Sequence, residues 1–351
     1  MSSLLMEAGT HSRQDHAVSE VLGVVMLLAM VVSMMGGAFM FLTPFVTEFQ
    51  DNSSWSNANG MAERLDGRLE LIGSASEGTG IKTSIPAATS SLSNLINVET
   101  WTFSADLTAD ERIEVEYLNG SAFSILAFNE SAASVLIWTP TGTQLSNFTP
   151  THNKVIIEHE LNVYNLYIVT IFDDDGVELH THAQIMISGL RITTDYQGGQ
   201  NEIAVINDAR YDRTDSVHWD VVEKPDLDID ELIDGTMRAS LRLRDVRING
   251  SAPNGRVVEL DLMSNGPISL FSGDAWHLRF TFDSTLGDSI TPQLTEGWLT
   301  DYNLNLASGT NSDYRGVSPW QRASGADGFT IDGGQNKIDL EIDIHRIEVR
   351  G

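Results

Sequence analysis

The chain has 351 residues, a formal net charge of −28 and no cysteine. Such an acidic surface argues against binding nucleic acid, because phosphates are neutralised by Lys and Arg. The absence of cysteine excludes disulfide frameworks, Cys-ligated zinc and thiol catalysis. An acidic surface with only four lysines also stays hydrated when salt screens its charges, which favours a halophilic protein.

A long apolar run lies near the N-terminus. The 24 residues from Val21 to Pro44 are dominated by Val, Leu, Met, Ala and Phe, and they carry no charge. As a helix this run would be about 36 Å long, enough to cross a bilayer core of about 30 Å. The sequence therefore predicts one membrane-spanning helix at about residues 21–44, preceded by a short polar leader.

The position of a small residue relative to this run is informative. A secretory signal peptide has a short apolar stretch followed by a small-residue cleavage site. Here the apolar stretch is longer, and the small residue, Ala17, comes before it. This order is typical of prepilin leaders, which are removed while the helix is kept.

The start of the run carries a family resemblance, through Ala17, Val18, Ser19 and the Val21-Leu22-Gly23 tripeptide. These residues resemble the start of archaeal type IV pilin-like proteins, including uncharacterised haloarchaeal members. The resemblance implies a leader at residues 1–17, cut by a prepilin peptidase between Ala17 and Val18. It also implies a helix at residues 18–72 that bundles with other pilin-like subunits.

Within that helix, Glu20 and Gly23 are the candidate assembly residues. An unpaired carboxylate is costly in a bilayer, so Glu20 is a candidate partner for the new α-amino group of an adjacent subunit. Alternatively, Glu20 is a helix-start acid favoured by the helix dipole. Further along, Met61, Leu65 and Leu69 recur every four residues, which predicts one apolar helix face that docks onto a globular domain.

The remaining residues, 73–351, begin with a stretch at 73–93 that is small, polar and aperiodic, which predicts a surface loop. From Leu95 onward the sequence alternates with the period of β-strands, and turn signals such as Asn119-Gly120, Asp173–Gly176 and Asn265-Gly266 separate the runs. The predicted fold class is α+β, a long N-terminal hydrophobic helix followed by a large antiparallel β-sandwich-like ectodomain. A division of this domain near residues 200–236 is plausible. The best later helix candidate is Glu231–Met237.

No motif predicts catalysis, and the chain is expected not to be an enzyme. The acidic segment Asp226–Asp234 lacks the Gly and Glu positions of a calcium loop and predicts a solvated turn. The imidazoles of His180 and His182 share a strand face, but the expected neighbours, Val169 with Tyr167 or with Ile171, add no ligand. No metal or cofactor is predicted.

Glycosylation is a further candidate modification. Five Asn-x-Ser/Thr sequons are present in the chain, each usable in an exported protein when exposed. Their asparagines are Asn52, Asn119, Asn129, Asn147 and Asn249.

The sequence thus predicts a pilin-like cell-surface protein, single-pass in the membrane or part of an extracellular filament. Its size favours a minor or tip subunit, for instance an adhesin. The alternatives are a single-span surface binding protein that never enters a filament and an anchored enzyme acting on polysaccharide. The expected partners are the membrane, a prepilin peptidase and other pilin-like subunits.

Overall fold

In the computed structural model one long helix precedes a β-rich region. The backbone is described for residues 8–87, 89–109, 113–119, 122–127, 133–138, 144–148, 154–158, 166–196, 199–214, 218–232, 236–250, 252, 255–298, 320–322, 328–333 and 336–351. Within these ranges, side chains are described from Glu20 onward, except at 113–127, 138–167, 231 and 320–322. The chain forms two compact units, Met1–Ser53 and Ser54–Gly351.

Helix α1 spans Ala8–Gly73, so it begins before Val18, the predicted first helical residue. A second helix, α2, occupies residues 290–298 and places Trp298 in the core, where its ring meets those of Trp101, Phe280 and Phe282. The helix predicted at Glu231–Met237 is wrong. One strand ends at Glu231 and the next begins at Met237, and these two residues are antiparallel partners, so both ends of the predicted helix are extended.

The smaller of the two main sheets has five strands in the order β1-β15-β19-β14-β13. These are β1 (Gly80–Pro86), β13 (Asp228–Glu231), β14 (Met237–Ile248), β15 (Val257–Ala275) and β19 (Ile338–Arg350). Strands β14 and β19 run parallel, so the prediction of an entirely antiparallel domain is wrong here. Parallel pairing is possible because a long stretch of chain separates the two strands.

The larger sheet has 11 strands, eight of them in the order β12-β11-β10-β9-β2-β16-β18-β17. Strands β5, β6 and β8 join it beside β9. Its strands are β2 (Ser90–Asp106), β5 (Ser134–Trp138), β6 (Gln144–Phe148), β8 (Leu166–Phe172), β9 (Glu178–Tyr196), β10 (Gly199–Ile206), β11 (Ala209–Arg213), β12 (Asp220–Glu223), β16 (His277–Ser284), β17 (Trp320–Arg322) and β18 (Gly328–Asp332).

A three-stranded sheet contains β3 (Ile113–Asn119), β4 (Ala122–Ala127) and β7 (Lys154–Glu158). Strands β3 and β4 pair across Asn119-Gly120, as the turn signal predicts. Both larger sheets are curled half-barrels. The prediction of a long apolar helix followed by a large β-rich domain is therefore confirmed, whereas sandwich-like packing is not. The surface loop predicted at residues 73–93 is wrong, because β1 and the start of β2 lie there and pair with β15 and β9.

Two hydrophobic cores lie on opposite faces of the same strands. In β9, Ile185 and Ile187 belong to the first core, whereas Leu190 and Ile192 belong to the second. Successive side chains alternate between faces, so the change from odd to even positions moves the apolar face to the other side. Gly189 lies at this change, and a Cβ there would come within 2.5 Å of Ile206 Cγ1.

A buried polar cluster joins the two main sheets where the cores change faces. The backbone N–H of Asn97 in β2 donates to Ser188 Oγ at 3.0 Å, and the N–H of Ser188 in β9 donates to Asp245 Oδ1 at 2.9 Å. Asp245 lies in β14, and Arg247 pairs with it at 3.0 Å. Ser188 and Asp245 are buried polar residues that need such partners, and the hydrogen bond between them links β9 of the larger sheet to β14 of the smaller sheet.

Candidate functional site

The apolar part of α1 is the largest exposed hydrophobic surface among the described residues. From Val21 to Phe49 the large apolar side chains are solvent-exposed, for example Val24 at 69%, Phe41 at 78% and Phe49 at 74%. The described part of the chain has one helix, Glu20–Gly73, that is long and apolar enough to cross a membrane by length and composition. An exposed apolar surface of this size is typical of contact with lipid or with other proteins.

The helix continues through Pro44, which lacks the N–H that would bond to the previous turn. Two hydroxyls lie beside this gap. Thr43 Oγ1 donates to the carbonyl of Phe39 at 2.6 Å, and Thr47 Oγ1 donates to the carbonyl of Thr43 at 3.0 Å. Such side-chain bonds satisfy polar groups locally, which an apolar environment requires.

The C-terminal part of α1 is buried in the β-rich unit. Met61, Leu65 and Leu69 are at most 3% exposed, so the predicted docking face is confirmed. Ala58 and Ile72 extend the same face in the second hydrophobic core. The face packs against apolar residues of both main sheets, which are Ile85, Leu92, Leu190, Ile192, Ile203, Val205, Val246, Val258, Leu260, Leu262, Ile347 and Val349.

Polar contacts fix the end of α1 on the smaller sheet. The imidazole of His345 in β19 hydrogen-bonds to the backbone of Gly73, and burial lowers the pKa of this histidine. A Cβ on Gly73 would lie 3.0 Å from Arg244 Nε, so glycine lets this side chain approach closely. Arg244 itself pairs with Asp208. A cation beside the C-terminus of a helix is favoured by the helix dipole.

An open groove of about 200 Å³ lies between α1 and strands β10 to β12. Its apolar lining includes Ala62 and Val205, and its acidic lining includes Asp66 and Glu223. Burial, together with the nearby acids Asp208 and Glu223, raises the pKa of Asp66 to about 6. The groove therefore holds one carboxyl that is partly protonated near neutral pH.

The predicted processing and assembly residues lie in the first unit. Ala17 and Val18 have helical backbone within α1, and their side chains are outside the described ones. Glu20 is exposed, and a Cβ on Gly23 would meet no atom within 4 Å. The described contacts of unit one therefore leave this part of the helix surface open.

The sequons differ in what the structure describes of them. Asn52 and Asn249 are exposed, and the amide of Asn249 donates to Glu348 Oε1. Asn119 ends β3 and Asn147 lies in β6, with side chains outside the described ones. Asn129 lies outside the described residues.

The two histidines of β9 have polar partners on β2, a strand that the sequence did not identify as a neighbour of β9. His180 and His182 face Ile171 and Val169 of β8, as one of the two expected registers has it. On the other side β2 places Asp106 and Ser104 opposite them. His180 Nδ1 lies 2.8 Å from Asp106 Oδ1, and His182 Nδ1 lies 2.6 Å from Ser104 Oγ.

Strand β16 adds a third imidazole. His277 Nδ1 lies 3.5 Å from Asp106 Oδ2. Burial favours protonation of Asp106, but the hydrogen bonds from His180 and His277 outweigh it and lower the pKa of Asp106 to about 2. Among the described residues no three His, Asp or Glu side chains are placed to hold a metal ion.

A second buried acid, Glu99, was also not predicted from the sequence. Glu99 is fully buried in β2, and its carboxylate accepts hydrogen bonds from Trp101 Nε1 and from the Tyr211 hydroxyl, both at 2.8 Å. Burial raises the pKa of Glu99 to about 7, against the two hydrogen bonds. Only the fold reveals this cluster, because 112 residues separate Glu99 from Tyr211.

Comparison of the chain with protein-family models, with curated proteins and with solved structures found no match in any of the three.

Proposed function

We propose that the chain is a pilin-like cell-surface protein of the archaeal type IV kind, with its β-rich unit outside the cell. The observation that carries the proposal is the contrast within α1. Large apolar side chains are exposed from Val21 to Phe49, whereas Met61 to Ile72 contribute to the core of the β-rich unit. One helix therefore offers a surface to lipid or to neighbouring helices and is also built into the folded domain.

In this proposal a prepilin peptidase removes residues 1–17, and the helix beginning at Val18 stays in the membrane or enters a filament. Glu20 and Gly23 then contact neighbouring pilin-like subunits. A β-rich unit of about 300 residues is large for a subunit packed at high copy number. We therefore propose a minor or tip subunit whose outer domain binds a surface.

Shearing cells that produce the full chain tests this assignment, because shearing releases filaments from membranes. A filament subunit is expected in the sheared fraction, and a single-span anchor is expected only in the membrane fraction. A variant that lacks residues 1–53 keeps the whole second unit and is the matched control. Recovery of the full chain in the soluble fraction alone would contradict both forms of the proposal.

A further inference from the structure

The groove between α1 and strands β10 to β12 has an apolar floor and an open helix position. Ala62 and Val205 line it and are at most 3% exposed. Gly67 of α1 also lines it, and a Cβ there would meet no atom within 4 Å. Glycine stabilises a helix less than alanine does. The contacts of the helix do not require glycine at this position, and its effect is to leave the groove open.

The rim of the groove is acidic on both sides. Glu63 and Asp66 of α1 lie on one side, and Glu223 of β12 lies on the other. The carboxyls of Glu63 and Glu223 are exposed, whereas Asp66 is partly buried. Burial raises the pKa of Asp66 to about 6, and the charges of Asp208, Glu223 and Glu70 act in the same direction. Negative charge at this rim is therefore incompletely compensated.

The described cations nearest the groove already have carboxylate partners. Arg210 lines the groove, and its Nε and Nη2 atoms donate to the two oxygens of Asp212 at 3.0 and 2.9 Å. Arg244 lowers the pKa of Asp66 but pairs with Asp208. Neither guanidinium is therefore committed to the rim, which keeps a negative charge that a partner can neutralise.

An apolar floor below an acidic rim is complementary to one kind of side chain. Lysine and arginine combine an aliphatic stem with a cationic end, and the planar guanidinium can donate to more than one carboxylate. Val222, which precedes Glu223 in β12, is 54% exposed and offers apolar contact area beside the groove. Such a contact favours a protein over a small free amine.

We propose that this groove docks an arginine side chain of a partner protein. The stem lies against Ala62 and Val205, and the guanidinium lies between the carboxylates of α1 and β12. The open position at Gly67 leaves room for the stem to enter from solvent. All of these residues belong to the second compact unit, so the site does not depend on how the first part of α1 is anchored.

NMR of the full chain in detergent micelles, with isotope-labelled glycine, locates the site. Titration with N-acetyl-arginine amide should shift the amide signal of Gly67 and leave that of Gly60 unchanged. Gly60 lies in the same helix, and a Cβ there would also meet no atom within 4 Å. A single side chain should bind with a dissociation constant on the order of 1 mM. N-acetyl-citrulline amide, which has a similar shape but no charge, should bind about tenfold more weakly or worse.

Isothermal titration calorimetry of variants tests the two parts of the groove. Glu223→Gln should weaken binding of the arginine probe about tenfold. Glu259→Gln, which removes the charge of another exposed strand glutamate, should leave binding unchanged. Gly67→Leu should abolish binding by filling the groove, whereas Gly60→Leu should not.

An unchanged Gly67 signal at saturating probe would overturn the proposal, as would equal binding of the arginine and citrulline probes. Tighter binding of putrescine than of the arginine probe would overturn the choice of a protein side chain. These three measurements use the wild-type protein, so they decide even where a variant fails to fold. Equal losses in Glu223→Gln and Glu259→Gln would reveal general attraction to a chain of charge −28 and would also overturn the site.

Discussion

At the scale of single residues, buried titratable groups stand out against a solvated acidic surface. Glu99 of β2 and His182 of β9 are each fully buried. Burial favours the neutral form of each group, which raises the pKa of Glu99 and lowers the pKa of His182. Their effects on stability have opposite dependence on pH.

The Glu99→Gln substitution should remove one of these dependences. The pKa of Glu99 is about 7 in the folded protein and near 4.5 in an unfolded chain. Between these values the folded state binds more protons, so the free energy of unfolding falls as pH rises. A shift of this size corresponds to about 3 kcal/mol.

Glu99→Gln should therefore gain up to about 3 kcal/mol over wild type at pH 8 and little at pH 4, measured by denaturant unfolding. Comparing the two proteins at each pH cancels the contribution of His182. Glu259→Gln, at an exposed position, is the matched control and should show no such trend. A pH-independent difference between wild type and Glu99→Gln would contradict a protonated buried Glu99.

At the scale of elements, helix α1 has an exposed apolar part, Val21–Phe49, and a buried part, Ala58–Ile72. The buried part is a structural component of the β-rich unit. The buried face of α1 between Ala58 and Ile72 contributes to the second core, and Asn59 accepts a hydrogen bond from Arg210 of β11. A soluble fragment that begins at Gly73 would leave this core uncovered. The boundary for an autonomous domain therefore lies near Ser54.

Two leucines of α1 test this role. Leu65 is fully buried and Leu71 is 53% exposed, on the same helix. Leu65→Ala should reduce the free energy of unfolding by about 2–5 kcal/mol, and Leu71→Ala by less than about 0.5 kcal/mol. Denaturant unfolding of the fragment 54–351 measures both. Similar losses for the two variants would contradict docking of this helix face.

Two short sequence signals predicted turns correctly, but they did not predict which strands lie next to each other in the sheets. Asn119-Gly120 and Asp173–Gly176 identify hairpins because a turn depends on neighbouring residues, and Val177 N–H does donate to Asp173 Oδ1 at 2.8 Å. By contrast, Asp106 and His180 are 74 residues apart, and strand order alone brings them together. A third turn-type dipeptide, Asn265-Gly266, lies inside β15, where the register shifts as in a β-bulge and no turn separates two strands.

Part of the acidic segment Asp226–Asp234 forms an edge strand, and a second acidic edge strand precedes it in the chain. Asp228–Glu231 forms β13 at one edge of the smaller sheet, and Asp220–Glu223 forms β12 at one edge of the larger sheet. Charged side chains on edge strands oppose pairing with other chains. The sequence predicted a solvated turn here because acidic alternation resembles a loop when the partner strand is unknown.

At the scale of the whole molecule, net charge sets the response to salt. A chain with charge −28 repels itself when folded, and this repulsion is screened over about 10 Å at 0.1 M salt and about 3 Å at 1 M. The 54–351 fragment carries most of this negative charge, so its melting temperature should rise steadily from 0.1 to 1 M KCl. Circular dichroism measures it, with sucrose as an uncharged control solute. A melting temperature that falls over this range would contradict a dominant role for charge repulsion.

The measurement that tests the proposed function most directly is the intact mass of the full-length protein isolated from cells that produce it. Processing between Ala17 and Val18 predicts a polypeptide that begins at Val18 and lacks residues 1–17. The Ala17→Trp variant should keep those residues, because a bulky side chain blocks the cut. A mature wild-type protein that retains Met1–Ala17 would contradict the pilin-like assignment.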